Sequence, residues 1–145
     1  MAYASHNFDA VKTAIKDGCN VIVWAFVDFV LDETALEEKG VIKTTLDIPR
    51  LEKFINHLDS DGHDNVIHLI SVGGWNGDHL DTRLTAEKWY SAFQDSIGHI
   101  FHGIDWDLEG NDDLLSQFNT FTPECLQLMG EISILAKSGT CVIPS

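Results

Sequence analysis

Apolar residues run almost unbroken through NVIVWAFVDF, residues 20–29, and again through NVIHLISV, residues 65–72. Such β-branched and aromatic runs predict strands covered on both faces, as in a parallel sheet. Outside such runs the spacing becomes helical. Phe8, Val11, Ala14 and Ile15 share one face of a predicted helix over residues 8–17, capped by Asn7 and ended by Gly18. Asp47 opens a second helix over 47–58, with Pro49 in its first turn, where the missing N–H costs little. A third starts at Thr85 and carries Trp89, Ala92, Phe93 and Ile97 on its apolar side. A fourth runs from Thr122-Pro123 through residue 137 and is closed by Gly139. Residues 101–109 predict a third strand and TCVIPS, residues 140–145, the start of a fourth. LDETALEEKG (31–40), GGWNGDH (73–79) and GNDDLLSQFNTF (110–121) are expected to be loops.

Strand, loop and helix in strict alternation mean a parallel sheet with helices outside it, either doubly wound or part of a (β/α)8 barrel. Both architectures bind ligands beyond the C-terminal ends of their strands. Asp28, Ser71 to Asn76 and Asp105 to Glu109 all fall there. A whole barrel takes about 250 residues, and this chain has 145. It opens on a helix and stops in a strand, so it is expected to be part of a domain cut at both ends. The sheet edges left by such a truncation could self-associate.

Charge narrows the partners. With 23 acids against 9 Lys and Arg, the formal net charge is −14, which disfavours nucleic acid and anionic membrane surfaces. The first ten residues, MAYASHNFDA, lack the basic start and apolar stretch of a signal peptide. Cys19, Cys125 and Cys141 have neither zinc-site spacing nor an even count. They are expected to be buried thiols, with a Cys125–Cys141 pair as the alternative.

The chemistry concentrates in FHGIDWDLEG, residues 101–110. Side chains alternate across a strand, so Asp105, Asp107 and Glu109 leave by one face and Ile104, Trp106 and Leu108 by the other. Burying unpaired charge is costly, so a purely structural role explains this row poorly. Neighbouring acids lie about 7 Å apart, where Coulomb repulsion is roughly 2.4 kcal/mol at an effective dielectric near 20. Glu109, nearest the open end, is the candidate to retain a proton and serve as a general acid. A hard-cation site built from the same oxygens and a solvated edge strand without function are the competing readings.

SVGGWNG, residues 71–77, supports an enzyme. Gly73 and Gly74 permit positive φ and close approach to a ligand, Ser71 faces the same way as Gly73, and Trp75 offers a flat surface for a sugar ring. Phosphate binding is disfavoured because residues 71–82 contain no Lys or Arg. The histidines at 57, 63, 68, 79, 99 and 102 are expected to be ordinary surface or core residues, and Trp24, Phe26, Trp89 and Trp106 to be core.

These two stretches, SVGG and GIDWDLE, resemble the paired signatures of family 18 glycoside hydrolases, the chitinases: S-x-G-G on the third barrel strand and D-G-x-D-x-D-x-E on the fourth. NVIVWAF resembles that family's second strand and TCVIPS the start of its fifth. The resemblance implies a partial (β/α)8 TIM barrel covering about strands 2 to 5, and substrate-assisted, retaining hydrolysis of chitin or its oligosaccharides. It implies Glu109 as general acid, Asp107 as the residue orienting the substrate N-acetyl group, Asp105 as the inner acid sharing charge with Asp107, and Ser71 as its hydrogen-bond partner. Gly73, Gly74 and Trp75 would complete a substrate-binding edge. No cofactor or metal is implied, and secretion is. His102 stands where the longer signature has its first aspartate, which implies altered packing at the strand start. The family's later tyrosine and tryptophan have no counterpart in this chain, so the isolated segment is expected to be inactive. A lectin-like glycan binder and a cation-dependent phosphotransfer domain are the alternatives. The first is countered by the presence of Glu109, which lectin-like relatives lack.

Overall fold

The computed structural model describes residues 1–139, so the strand expected at 140–145 and Cys141 lie outside the described residues. The elements are β1 (Ala2–Ala4), α1 (Phe8–Lys16), β2 (Val21–Asp32), β3 (Lys39–Thr44), α2 (Ile48–Leu58), β4 (Ile67–Gly74), α3 (Ala86–Ser96), β5 (Gly103–Leu108) and α4 (Pro123–Gly139). Parallel pairing orders the main strands β1-β2-β4-β5, and β3 lies antiparallel to the far half of β2. No helix among the described residues is long and apolar enough to cross a membrane.

The helices start where short polar side chains can satisfy their first free N–H groups. Asn7 accepts from the Ala10 amide, Asp47 from Arg50, Thr85 from Lys88 and Thr122 from Cys125. Their apolar faces then cover one side of the sheet. On that side Phe8 stacks on Phe54 at 4.4 Å, both rings edge-on to Trp24, while Phe29 meets Trp89, Phe93 and Trp106. Trp106 also donates its indole N–H to Ser133 of α4.

Parity follows from register. Trp24 pairs with Ile70 and Ile70 with Ile104, so these side chains share the helix-covered face. Tyr3, Val23, Ala25, Ser71 and Asp105 therefore emerge on the opposite face. The four parallel strands form an open, curved sector with its unusual residues on that face.

Three expectations change. A strand does precede the first helix: Ala2–Ala4 pairs with Ile22–Trp24, too short a run to be recognised from periodicity. Residues 31–40 are not all loop, because β2 continues to Asp32 and turns back into β3. Phe26 is not core. A register shift between Ala25 and Val27 displaces it, and the ring lies 37% exposed at the site end of the sheet. Trp24 and Trp89 are fully buried, as expected, and Trp106 is half-buried.

Candidate functional site

The β4–β5 ladder sets Ser71 beside Asp105 and Gly73 beside Asp107. Ser71 is fully buried, and its hydroxyl donates to Asp105 Oδ2 at 2.8 Å. Tyr3, from β1, donates its phenolic O–H to the same oxygen at 3.3 Å. The negative field of Asp105, followed by burial, that hydrogen bond and the field of Asp107, raises the Tyr3 pKa and keeps the phenol a donor. Asp105 and Asp107 are half-buried, whereas Glu109, one residue past the strand, is exposed.

Gly73 and Gly74 both have positive φ, +104° and +88°. A Cβ on Gly73 would lie 2.9 Å from the Asp107 carbonyl and 2.7 Å from Leu108 Cδ2; one on Gly74 would press on the Phe26 ring at 3.1 Å. The glycines thus allow β4 to close on β5 and on Phe26, where a close approach to ligand was expected. Ser71 likewise spends its hydroxyl on Asp105, so it holds an acid in place.

The loops beyond β4 and β5 are tied together. Asp112 accepts from the Trp75 indole at 2.8 Å and from the Asn76 amide at 2.9 Å, which lowers its pKa, and its own N–H donates to Asn76 Oδ1 at 2.7 Å. Asn76, in the left-handed region at φ +68°, donates its backbone N–H to the Gly110 carbonyl at 3.1 Å. Trp75 is thereby fixed by its edge, with 57% of its surface open to solvent. His79 is buried and bonds the Glu109 carbonyl through Nε2 at 2.9 Å.

Asp28 stands apart from the acid row. Its Oδ1 is buried without a hydrogen-bond partner, and burial, then Asp78, raises its pKa against the pull of Lys43. A cleft of about 800 Å³, lined among others by Phe29, Asp32, Lys43, His79, Arg83 and Phe118, includes none of Asp105, Asp107 and Glu109. Several histidines have partners of their own: His99 faces Glu52, His57 faces Asp61, and His102 accepts from the His68 amide. No group of three or more His, Cys, Asp or Glu among the described residues is placed to hold a metal ion.

No protein-family model and no curated protein matches this sequence. Solved structures do. The family 18 chitinase from Crocus vernus superposes with a TM-score of 0.54 at 21% identity, over 83% of this chain and 45% of that one. The chitinase domain of the spore coat protein CotE from Clostridium difficile gives 0.59 at 16% identity, over 93% of this chain and 38% of that one. The fold is that of a family 18 chitinase. This chain spans less than half of each of those two chitinase structures, and the open sheet is a sector of the chitinase barrel.

Sequence reasoning placed Ser71, Gly73, Gly74, Trp75, Asp105, Asp107 and Glu109 at one end of this chitinase-like sheet; the structure pairs Ser71 with Asp105 and Gly73 with Asp107, while Gly74 pairs with Leu108 and Trp75 is tied to Asp112. Sequence reasoning missed Tyr3, His79 and Asp112, and the contacts of Asn76. Tyr3 follows only from the parity of a three-residue strand, and the other three act through loop contacts 30 to 37 residues apart. Sequence carries no signal for such contacts.

Proposed function

We propose that this chain contributes the catalytic segment of a retaining glycoside hydrolase acting on β-1,4-linked N-acetylglucosamine polymers. The observation that carries this reading is the row of acids on β5: Asp105 gripped on one oxygen by Ser71 and Tyr3, Asp107 next on the same face, and Glu109 open to solvent at the strand's end.

In this reading Glu109 donates its proton to the glycosidic oxygen as the bond to the anomeric carbon breaks. The carbonyl oxygen of the substrate's own N-acetyl group attacks that carbon and forms an oxazolinium ion, so no protein nucleophile is needed. Asp107 accepts from the acetamido N–H and offsets the developing positive charge. Water then attacks the anomeric carbon from the face the leaving group vacated, displacing the carbonyl oxygen so that the N-acetyl group re-forms, and gives up a proton to the Glu109 carboxylate; the configuration is retained. Ser71 and Tyr3 fix Asp105, so that the acid next to Asp107 does not reorganise during the reaction. Trp75, held by Asp112, presents a ring to a sugar face.

The test is Glu109→Gln in the full-length protein with a fluorogenic chitobioside. Loss of the transferable proton should lower turnover on the order of 10² to 10⁴-fold while oligosaccharide binding persists. Turnover near that of the wild type would refute the assignment.

A further inference from the structure

Glu109 follows Leu108, the last residue of β5 paired to β4, so no strand ladder holds its backbone. Its carboxyl makes no hydrogen bond or ion pair among the described residues. The orientation of this side chain therefore depends on what grips its peptide. That grip comes from another loop. His79 Nε2 lies 2.9 Å from the Glu109 carbonyl oxygen, and because a carbonyl can only accept, Nε2 carries the proton. The imidazole is itself clamped: it stacks on Phe121 at 4.4 Å and 15°, meets Phe118 at 5.3 Å, and is 8% exposed. The next carbonyl, that of Gly110, is held by the Asn76 amide from the same loop.

We propose that His79 is the positioning residue for Glu109: its Nε2–H bond to the Glu109 carbonyl, backed by the Phe121 stack, aims the carboxyl at the scissile bond. This rests on the glycoside hydrolase reading above. The weight of this role comes from geometry, since a displacement of about 1 Å at a reacting group can cost on the order of 10²-fold in rate. His79 also lines the cleft, so the wall of that cleft and the aim of the acid share one side chain.

The test compares four forms of the full-length protein on a chitin oligosaccharide: wild type, H79F, H79Q and E109Q. Phe keeps the aromatic stack and removes the donor. Gln restores an N–H donor without the ring. The expected result is a 10- to 100-fold fall in kcat for H79F with KM within about twofold, and recovery of at least half of that loss, on a logarithmic scale, in H79Q. If H79F does not fold, H79A is assayed with added imidazole, which should restore turnover by refilling the slot against Phe121. An H79F enzyme within twofold of wild-type kcat, H79F and H79Q impaired equally, or no imidazole rescue of H79A would overturn the positioning role. Each of those results with E109Q inactive would leave the function of Glu109 standing. An active E109Q, or a wild type without turnover, would instead overturn the hydrolase reading and this proposal with it.

Discussion

The Tyr3 hydroxyl lies 3.3 Å from Asp105 Oδ2 although β2 and β4 stand between their strands. Strands sit about 4.8 Å apart, so three steps across a flat sheet would separate β1 from β5 by roughly 14 Å, more than the two side chains reach together. The bond exists because the sheet curls toward this face. It joins the first strand of the chain to its acidic strand and reports the same curvature that a barrel requires.

Tyr3 and Ser71 converge on one carboxylate oxygen, which couples their contributions. Ser71→Ala should destabilise the fold by about 1–3 kcal/mol, because it strips a half-buried acid of a charge-assisted hydrogen bond and removes a fully buried donor. Tyr3→Phe should cost less, since Tyr3 is 55% exposed and water can replace its hydroxyl. Urea unfolding of both single variants and the double variant checks this, and the double should fall by other than the sum, because the two share an acceptor. A larger loss from Tyr3→Phe than from Ser71→Ala would contradict it.

Gly73→Ala should be among the most damaging small substitutions in the chain. Positive φ costs about 1–2 kcal/mol for a residue with a Cβ, and the methyl would lie 2.9 Å from the Asp107 carbonyl. Forcing β4 and β5 apart adds overpacking of about 1–3 kcal/mol. A denaturation midpoint near that of wild type would mean that β4 relaxes without disturbing the acid row.

His68 makes stability depend on pH. It is fully buried, accepts from the Trp24 indole at Nδ1, and has its pKa lowered from 6.5 to about 4 by burial and then by the neighbouring His102. The unfolded chain protonates this ring below about pH 6.5 while the folded chain resists until about pH 4, so stability is full above 6.5 and declines between the two values. The whole decline amounts to roughly 3 kcal/mol. His68→Gln, which can still accept from Trp24 and does not titrate, should flatten that slope. Equal slopes in urea midpoints measured from pH 7 to pH 4 would exclude His68 as the cause.

On the proposed hydrolase reading, Asp107→Asn in the full-length protein should lower kcat on the order of 10²-fold with a smaller change in KM, because in that reading the lost charge matters most when the oxazolinium forms. Steady-state kinetics on a chitin oligosaccharide decide it. A rise in KM alone would make Asp107 a binding residue without a part in the chemical step.

Local chemistry made much of this legible in the sequence. Helix caps at Asn7, Asp47, Thr85 and Thr122, the apolar strand runs at 20–29 and 65–72, and the alternation of acids from Asp105 to Glu109 depend on neighbours a few residues away, so they survive in a linear reading. That alternation alone put three carboxyl groups on one face at the end of a strand where such sheets bind ligands. What the tertiary structure decided was everything that depends on register and curvature. It paired Asp105 with Ser71, carried Tyr3 across two strands to the same oxygen, assigned Gly73 to the β4–β5 contact, pushed Phe26 out of the core, and set His79 against the carbonyl of Glu109. Those contacts bridge 30 to 102 residues of chain or turn on a single-residue register shift, and they form only because the folded sheet bends the chain back onto itself.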